Sequence, residues 1–192
     1  MTPDPIARFR RWYAAAARAP IALPDAMALA TADRRGRPSV RFVLLKRAGP
    51  DGFVFFTDGD SRKGRELRGN PWAALVFYWD PIGRQVRVEG RVEPIADGEA
   101  DAYWATRPRG SRLEGAVSSQ SAPLASRALL LRRWRRLRAR SGAKAVPRPP
   151  EWTGYRIVPR TIEFWSRGKD RLHHREEFRR GRRGWRRRLL QP

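Results

Sequence analysis

The chain of 192 residues is long enough for one domain with a sizeable core, or for half of an intertwined dimer, and too short for two full domains. Charge is its outlier: 42 Lys and Arg against 19 Asp and Glu give a net of +23, a field that steers phosphorylated metabolites, nucleic acid or anionic membranes alike. The absence of cysteine excludes disulfides, thiolate metal sites and cysteine nucleophiles, and with neither a signal-peptide core nor a run near the ~20 apolar residues that span a bilayer, a soluble cytoplasmic protein is expected.

Asp4-Pro5 followed by Ile6, Phe9 and Tyr13 predicts a capped helix with proline at its first position and an apolar stripe that packs on the core. A short apolar segment over 26–32 leads through Asp33-Arg-Arg-Gly-Arg-Pro38 into the stretch around which the chain is organised, residues 39–67. There Ser39-Val-Arg-Phe-Val-Leu-Leu-Lys46 and Phe53-Val-Phe-Phe-Thr57 flank a Gly-Pro-Asp-Gly turn, which predicts a hairpin of those two runs. Arg41 and Lys46, five residues apart, fall on opposite faces unless a bulge or strand end intervenes. Ser61 caps a following helix whose first turn carries Arg62 and Lys63, so N–H groups, the positive end of the dipole and two cations converge where a phosphate would be stabilised. Asn70-Pro71 ends that helix.

Residues 72–79 predict a buried strand, turned back by Asp80-Pro-Ile-Gly83. Residues 84–94 alternate cleanly, with Val86, Val88, Gly90 and Val92 on one face and charged residues on the other, as in a half-exposed antiparallel strand. A helix is predicted over 97–106, stopped by Arg107-Pro108, with Ser111 in the loop beyond and a polar loop over 118–123. A basic amphipathic helix over 126–140, with Leu130, Trp134 and Leu137 as its apolar stripe, precedes a Pro-rich connector over 143–151. Strands are predicted over 152–158, 161–165 and 185–190. Charge concentrates in two places: 127–140 has seven Arg and no acid, and 167–192 has eleven basic residues against three acidic. The antiparallel strands and few helices, with no Gly-x-Gly-x-x-Gly after a strand, indicate an α+β barrel and not a dinucleotide-binding sheet.

Seven motifs, in order along most of the chain, resemble the pyridoxine (pyridoxamine) 5'-phosphate oxidase family, flavoproteins with an antiparallel FMN-binding split β-barrel and peripheral helices. They are Arg41-Phe-Val-Leu-Leu-Lys46, Phe56-Thr57, Ser61-Arg-Lys63, Arg84-Gln85-Val86, Arg107-Pro-Arg-Gly-Ser111, Gln120-Ser121 and Arg171-Leu-His173. The resemblance implies one domain over 1–192, with an N-terminal helical arm over 1–24 and C-terminal strands over 152–192. It also implies FMN contacts at Arg41, Phe42, Val43, Leu44, Leu45, Lys46, Phe56, Thr57, Arg62, Lys63, Gln85, Gln120, Ser121, Trp165 and Arg175. A phosphate dianion binds where several fixed donors meet, and Arg offers a fork where Lys offers a point charge. Any one of these cations taken alone reads first as a solvated surface charge, and only the Ser61-Arg-Lys63 helix start brings the two readings level.

For substrate, the resemblance implies a phosphate clamp of Lys46, Tyr103, Arg107 and Ser111, with Arg171, Leu172 and His173 beside the pyridine ring and Arg171 and His173 as the catalytic pair. Tyr103 and Arg107 stand one helical turn apart. Arg171 and His173 would point the same way in extended chain, and a histidine near neutrality donates or accepts a proton. His173-His174 also reads as a polar turn before a basic tail.

The implied reaction is oxidation of pyridoxine or pyridoxamine 5'-phosphate to pyridoxal 5'-phosphate, with dioxygen as acceptor, hydrogen peroxide as product and ammonia released from the amine. The implied assembly is a homodimer with FMN at the subunit interface, without metal, membrane or specific nucleic acid. Four departures from the family pattern stand out: a start close to Asp4-Pro5 without a longer arm over the substrate, His174 where Asp is usual, Phe56 for a frequent Tyr, and Leu189-Leu-Gln-Pro192 where Arg-Leu-x-Pro is usual. Two rival readings are a phenazine-type flavin oxidase and a binder of nucleic acid or anionic surfaces through the Arg-rich helix and tail.

Overall fold

The computed structural model describes residues 4–192; residues 1–3 of the expected arm lie outside that range. Helix α1 (Pro5–Arg18) starts as its sequence dictates, with Asp4 accepting from the N–H groups of Ile6 and Ala7. Strands β1 (Ala26–Ala32), β2 (Pro38–Leu44), β3 (Arg47–Gly49) and β4 (Gly52–Asp58) follow, then α2 (Arg62–Gly69), β5 (Trp72–Trp79) and β6 (Arg84–Pro94). Helices α3 (Asp97–Thr106), α4 (Arg109–Val117) and α5 (Arg127–Ser141) precede the long β7 (Trp152–Ser166), and β8 (His174–Gly181) and β9 (Gly184–Leu190) close the chain.

All nine strands belong to one antiparallel sheet, ordered β2-β1-β5-β6-β7-β4-β3. β7 divides its free edge: residues 152–157 pair with β4 and residues 161–166 with β8, which carries β9. The sheet curls around a core of Phe53, Phe55, Phe77, Trp79, Phe164 and Phe178. Helix α1 packs on this core, its Phe9 ring edge-on to Phe53 at 4.9 Å and 5.1 Å from Phe77, a burial that stabilises by roughly 2–3 kcal/mol. A second cluster, Trp104, Leu113, Val146 and Trp152, seats α3, α4 and α5 against the other side of β4. Among the described residues no helix is long and apolar enough to cross a membrane.

Four expectations need correction. The 39–46 run does not form a hairpin with 53–57: β2 pairs with β1, and the Gly-Pro-Asp-Gly turn joins β4 to the three-residue β3. The chain leaves β2 at Leu45, whose N–H bonds Asp25 O, and Lys46 N–H then bonds Val54 O, so both neighbours of this break are used. Strands expected over 152–158 and 161–165 are one strand, because Pro159 sits at a bulge opposite Gly90, where a Cβ would lie 2.1 Å from Val158 O. Ser111 stands in the first turns of α4 and not in a loop, and β8 occupies part of what reads as a basic tail.

Candidate cofactor and substrate site

Three groups of side chains emerge, and the first surrounds the start of α2. Ser61 caps the helix through Gly64 N–H, and the N–H groups of Arg62 and Lys63 meet no acceptor among the described residues. Lys63 is buried at 7 % exposure, yet its ammonium meets only the Ser61 hydroxyl at 3.2 Å and Gln120 Oε1. Gln120 Oε1 also accepts from Thr57 Oγ1 at 2.9 Å, and its backbone N–H donates to Asp58 at 3.0 Å. Burial, reinforced by the Arg41 cation, lowers the Lys63 pKa from 10.5 to about 8.

Beside it, Glu66 binds Arg62 at 2.8 Å and Arg41 at 3.2 Å. Arg41 also donates to Leu29 O and Thr31 Oγ1, and Ser39 Oγ donates to Glu66 at 2.6 Å. Burial works against the Glu66 charge, but hydrogen bonds from Ser39, Thr31, Arg62 and Arg41 outweigh it and hold its pKa at about 2. Thr31, Ser39 and Glu66 escaped the sequence reading; the i, i+4 spacing of Arg62 and Glu66 was the available signal. Ser121, beside Gln120, is exposed with φ 71°.

The 41–46 run is divided between the faces of its strand. Ser39, Arg41 and Val43 turn inward, whereas Val40, Phe42 and Leu44 are exposed at 68 %, 76 % and 38 %. Leu45 is buried, and Lys46 meets Asp25 at 3.2 Å. The Phe56 ring points away from neighbouring Thr57 and stacks on Tyr103 at 4.0 Å and Trp152 at 5.3 Å.

The second group lies on the outer sheet face. Register places Tyr78, Gln85, Trp165 and Arg175 directly opposite one another across β5, β6, β7 and β8, so their side chains share one face. Arg41 stands opposite Leu29, which faces the core, so Arg41 and Gln85 lie on opposite faces of the same sheet. His173 packs on Trp165 with ring centroids 4.6 Å apart, and its Nδ1 accepts from Gly168 N–H at 3.2 Å, which leaves the proton of the neutral ring on Nε2. The alternation expected of Arg171 and His173 does not hold: residues 169–171 form a tight turn, Arg171 has φ 63°, and His173 N–H bonds Arg171 O at 2.8 Å. Leu172 is 73 % exposed.

The third group joins Tyr103, Arg107 and Ser111, with Arg107 donating to Ser111 O at 3.0 Å. The guanidinium lies 5.3 Å from the Trp104 ring and 4.8 Å from that of Trp152, and burial pushes its pKa below the usual value. Lys46 makes no hydrogen bond to this group.

A buried ammonium with no carboxylate partner, a second cation at Arg41 and free helix N–H groups fit a phosphate in the first group. A polar and aromatic row fits a ring system in the second. Comparison with known proteins gives the family. Residues 14–141 match the family description "Pyridoxamine 5'-phosphate oxidase" and residues 152–192 match "Pyridoxine 5'-phosphate oxidase C-terminal dimerisation region". A pyridoxine/pyridoxamine 5'-phosphate oxidase of Sphingopyxis alaskensis is 50% identical over 192 residues, covering 100% of this chain and 89% of the relative. That of Anaeromyxobacter dehalogenans is 53% identical over 190 residues, covering 99% and 96%. The structure of PhzG from Burkholderia lata, in complex with tetrahydrophenazine-1-carboxylic acid, superposes with a TM-score of 0.95 at 37% identity, covering 100% of this chain and 94% of PhzG.

Proposed function

The chain belongs to the pyridoxine/pyridoxamine 5'-phosphate oxidase family of FMN-dependent oxidoreductases, and from that premise we propose that it oxidises pyridoxine 5'-phosphate or pyridoxamine 5'-phosphate to pyridoxal 5'-phosphate with dioxygen as acceptor. The observation that carries this substrate choice is Arg107, a partly buried cation against two indole rings, with Tyr103 and Ser111 beside it and no carboxylate paired to it among the described residues. It supplies a second anion site besides Lys63, as a phosphorylated cofactor acting on a phosphorylated substrate requires. Lys46 completes that clamp by exchanging Asp25 for the substrate phosphate.

Lys63, Arg41 and the first N–H groups of α2 bind the FMN phosphate, with Thr57, Gln120 and Ser121 as neutral partners. Gln85, Trp165 and Arg175 hold the flavin ring. Because these two sets face opposite sides of one sheet, a second copy of the chain supplies the set that a given site lacks. The exposed Val40, Phe42, Leu44 and Tyr78 provide the apolar face for that homodimer. When bound, FMN supplies a two-electron acceptor that dioxygen reoxidises with release of hydrogen peroxide. Arg171 orients the substrate ring, and the Nε2–H of His173 is the donor offered to the reacting oxygen or nitrogen, with the proton lost in oxidation passing to solvent. The alcohol yields the aldehyde directly, and the amine yields an imine whose hydrolysis releases ammonia.

Peroxide formation with pyridoxamine 5'-phosphate and with pyridoxamine tests the proposal. Strong preference for the phosphorylated form is expected; equal rates contradict a phosphate clamp. The likeness to PhzG favours a second reading, a flavin oxidase of a fused-ring carboxylate, in which Arg107 would meet a carboxylate and neither vitamer would be turned over.

A further inference from the structure

We infer that Glu163 is a positioning residue for the cofactor: it fixes the guanidinium of Arg175 and offsets its charge, and so sets how strongly this sheet face favours reduced over oxidised flavin. The inference rests on the reading above, in which Arg175 touches FMN.

Glu163 lies on the outer face two residues before Trp165, yet it is only 5 % exposed. One carboxylate oxygen accepts from Arg175 Nε at 2.8 Å, and the other from Arg87 Nη1 at 3.1 Å. Arg175 Nη1 donates to Gln191 O at 2.9 Å, so two of its nitrogens are held and Nη2 is left without an acceptor among the described residues. A guanidinium with four rotatable bonds between it and the backbone becomes a fixed donor only when anchored in this way.

A buried ion pair is by itself weak evidence of function, because well-packed apolar groups often stabilise a fold as much. The register here argues further. Glu163 stands directly opposite Glu177, itself 7 % exposed, and like charges facing each other across a sheet are destabilising unless cations intervene. Arrangement for stability alone does not call for two such carboxylates under an uncovered face. Arrangement to hold arginines in place does.

The charge consequence has a definite sign. Glu163 between Arg87 and Arg175 leaves the trio at +1, and removing its charge leaves +2. Two-electron reduction adds negative charge to the flavin, so a more positive neighbourhood stabilises the reduced form. Glu163→Gln is therefore expected to raise the flavin midpoint potential of the holoenzyme, with reduced FMN gaining about tenfold over oxidised FMN, equivalent to about 30 mV for a two-electron couple. Because part of the effect runs through the position of Arg175, the same substitution in an Arg175→Met background, measured at saturating FMN, is expected to give a clearly smaller shift, the remainder being the direct effect of the Glu163 charge.

Glu163→Asp keeps the charge but draws it back by one methylene, releasing Nε; oxidised FMN is then expected to bind about tenfold more weakly, as loss of a supporting partner commonly costs a site. An unchanged potential in Glu163→Gln, or an equal shift in the Arg175→Met background, overturns the inference. If Glu163→Gln does not fold, unchanged FMN affinity in Glu163→Asp overturns it instead. An Arg175→Met protein with parental FMN affinity and potential overturns the reading of Arg175 beneath it.

Discussion

Lys63 carries the clearest tension in the molecule, because its cation is what a phosphate needs and what a buried side chain should not be. With its pKa lowered from 10.5 to about 8, the unfolded chain binds more protons than the folded one between those values. Stability of the FMN-free protein is therefore expected to rise as pH passes from 8 towards 10.5, by roughly 3 kcal/mol at about 1.4 kcal/mol per pH unit. A bound phosphate restores the charge and removes that rise, and FMN affinity falls above pH 8; urea melts with and without FMN at pH 7.5 and 10 measure both. Lys63→Met is expected to stabilise the FMN-free protein at pH 7 while weakening FMN at least about tenfold. Glu66 behaves oppositely. Its pKa is lowered from 4.5 to about 2, so the stability it contributes is fully present above pH 4.5 and is lost as pH falls towards 2. Glu66→Gln flattens that acid limb.

At the scale of elements, the start of α2 is set by a close approach. A Cβ on Gly64 would lie 2.0 Å from Gly59 O, so Gly64→Ala must push the first turn off β4. A loss of about 1–3 kcal/mol is expected, with FMN binding weakened in step because the displaced N–H groups are the proposed phosphate donors; thermal melts and flavin titration check the two together. This helix was legible in the sequence because its cap, its cations and its Asn70-Pro71 end are local signals. The β6 alternation was legible for the same reason. What was not legible is long-range. Turn chemistry located the reversal at Gly49–Gly52 correctly, but nothing local says that β2 breaks at Leu45 and pairs with β1. β8 was hidden because its inward positions include Glu176, which stays on the core side through ion pairs to Arg8 and Arg187. α4 was hidden because it restarts directly after Pro108 with no side-chain cap. The candidate phosphate site was readable as cations at a helix start, whereas the Glu66 hub that binds two of them together needed the fold.

For the whole molecule, the exposed apolar face of β2 is the feature that a lone copy leaves unexplained. Phe42 is 76 % exposed and belongs, with Val40 and Leu44, to a single strand face. Phe42→Asp is expected to give monomers and to weaken FMN in proportion, and sedimentation with flavin fluorescence over a dilution series follows both. The seven arginines of α5 make no ion pair among the described residues, so a chain of net +23 is expected to stay on heparin at low salt and leave it steeply as salt rises, with or without flavin.

The opposite facing of Arg41 and Gln85 has a genetic consequence. Suppose one batch of protein is crippled only at Lys63 and another only at Arg175, each inert by itself. After unfolding and refolding as an equal mixture, half of the pairs are hybrids, and in each hybrid both lesions fall in the same site and spare the other. About a quarter of native turnover should return from two dead parents, as two-fold symmetry with shared sites demands.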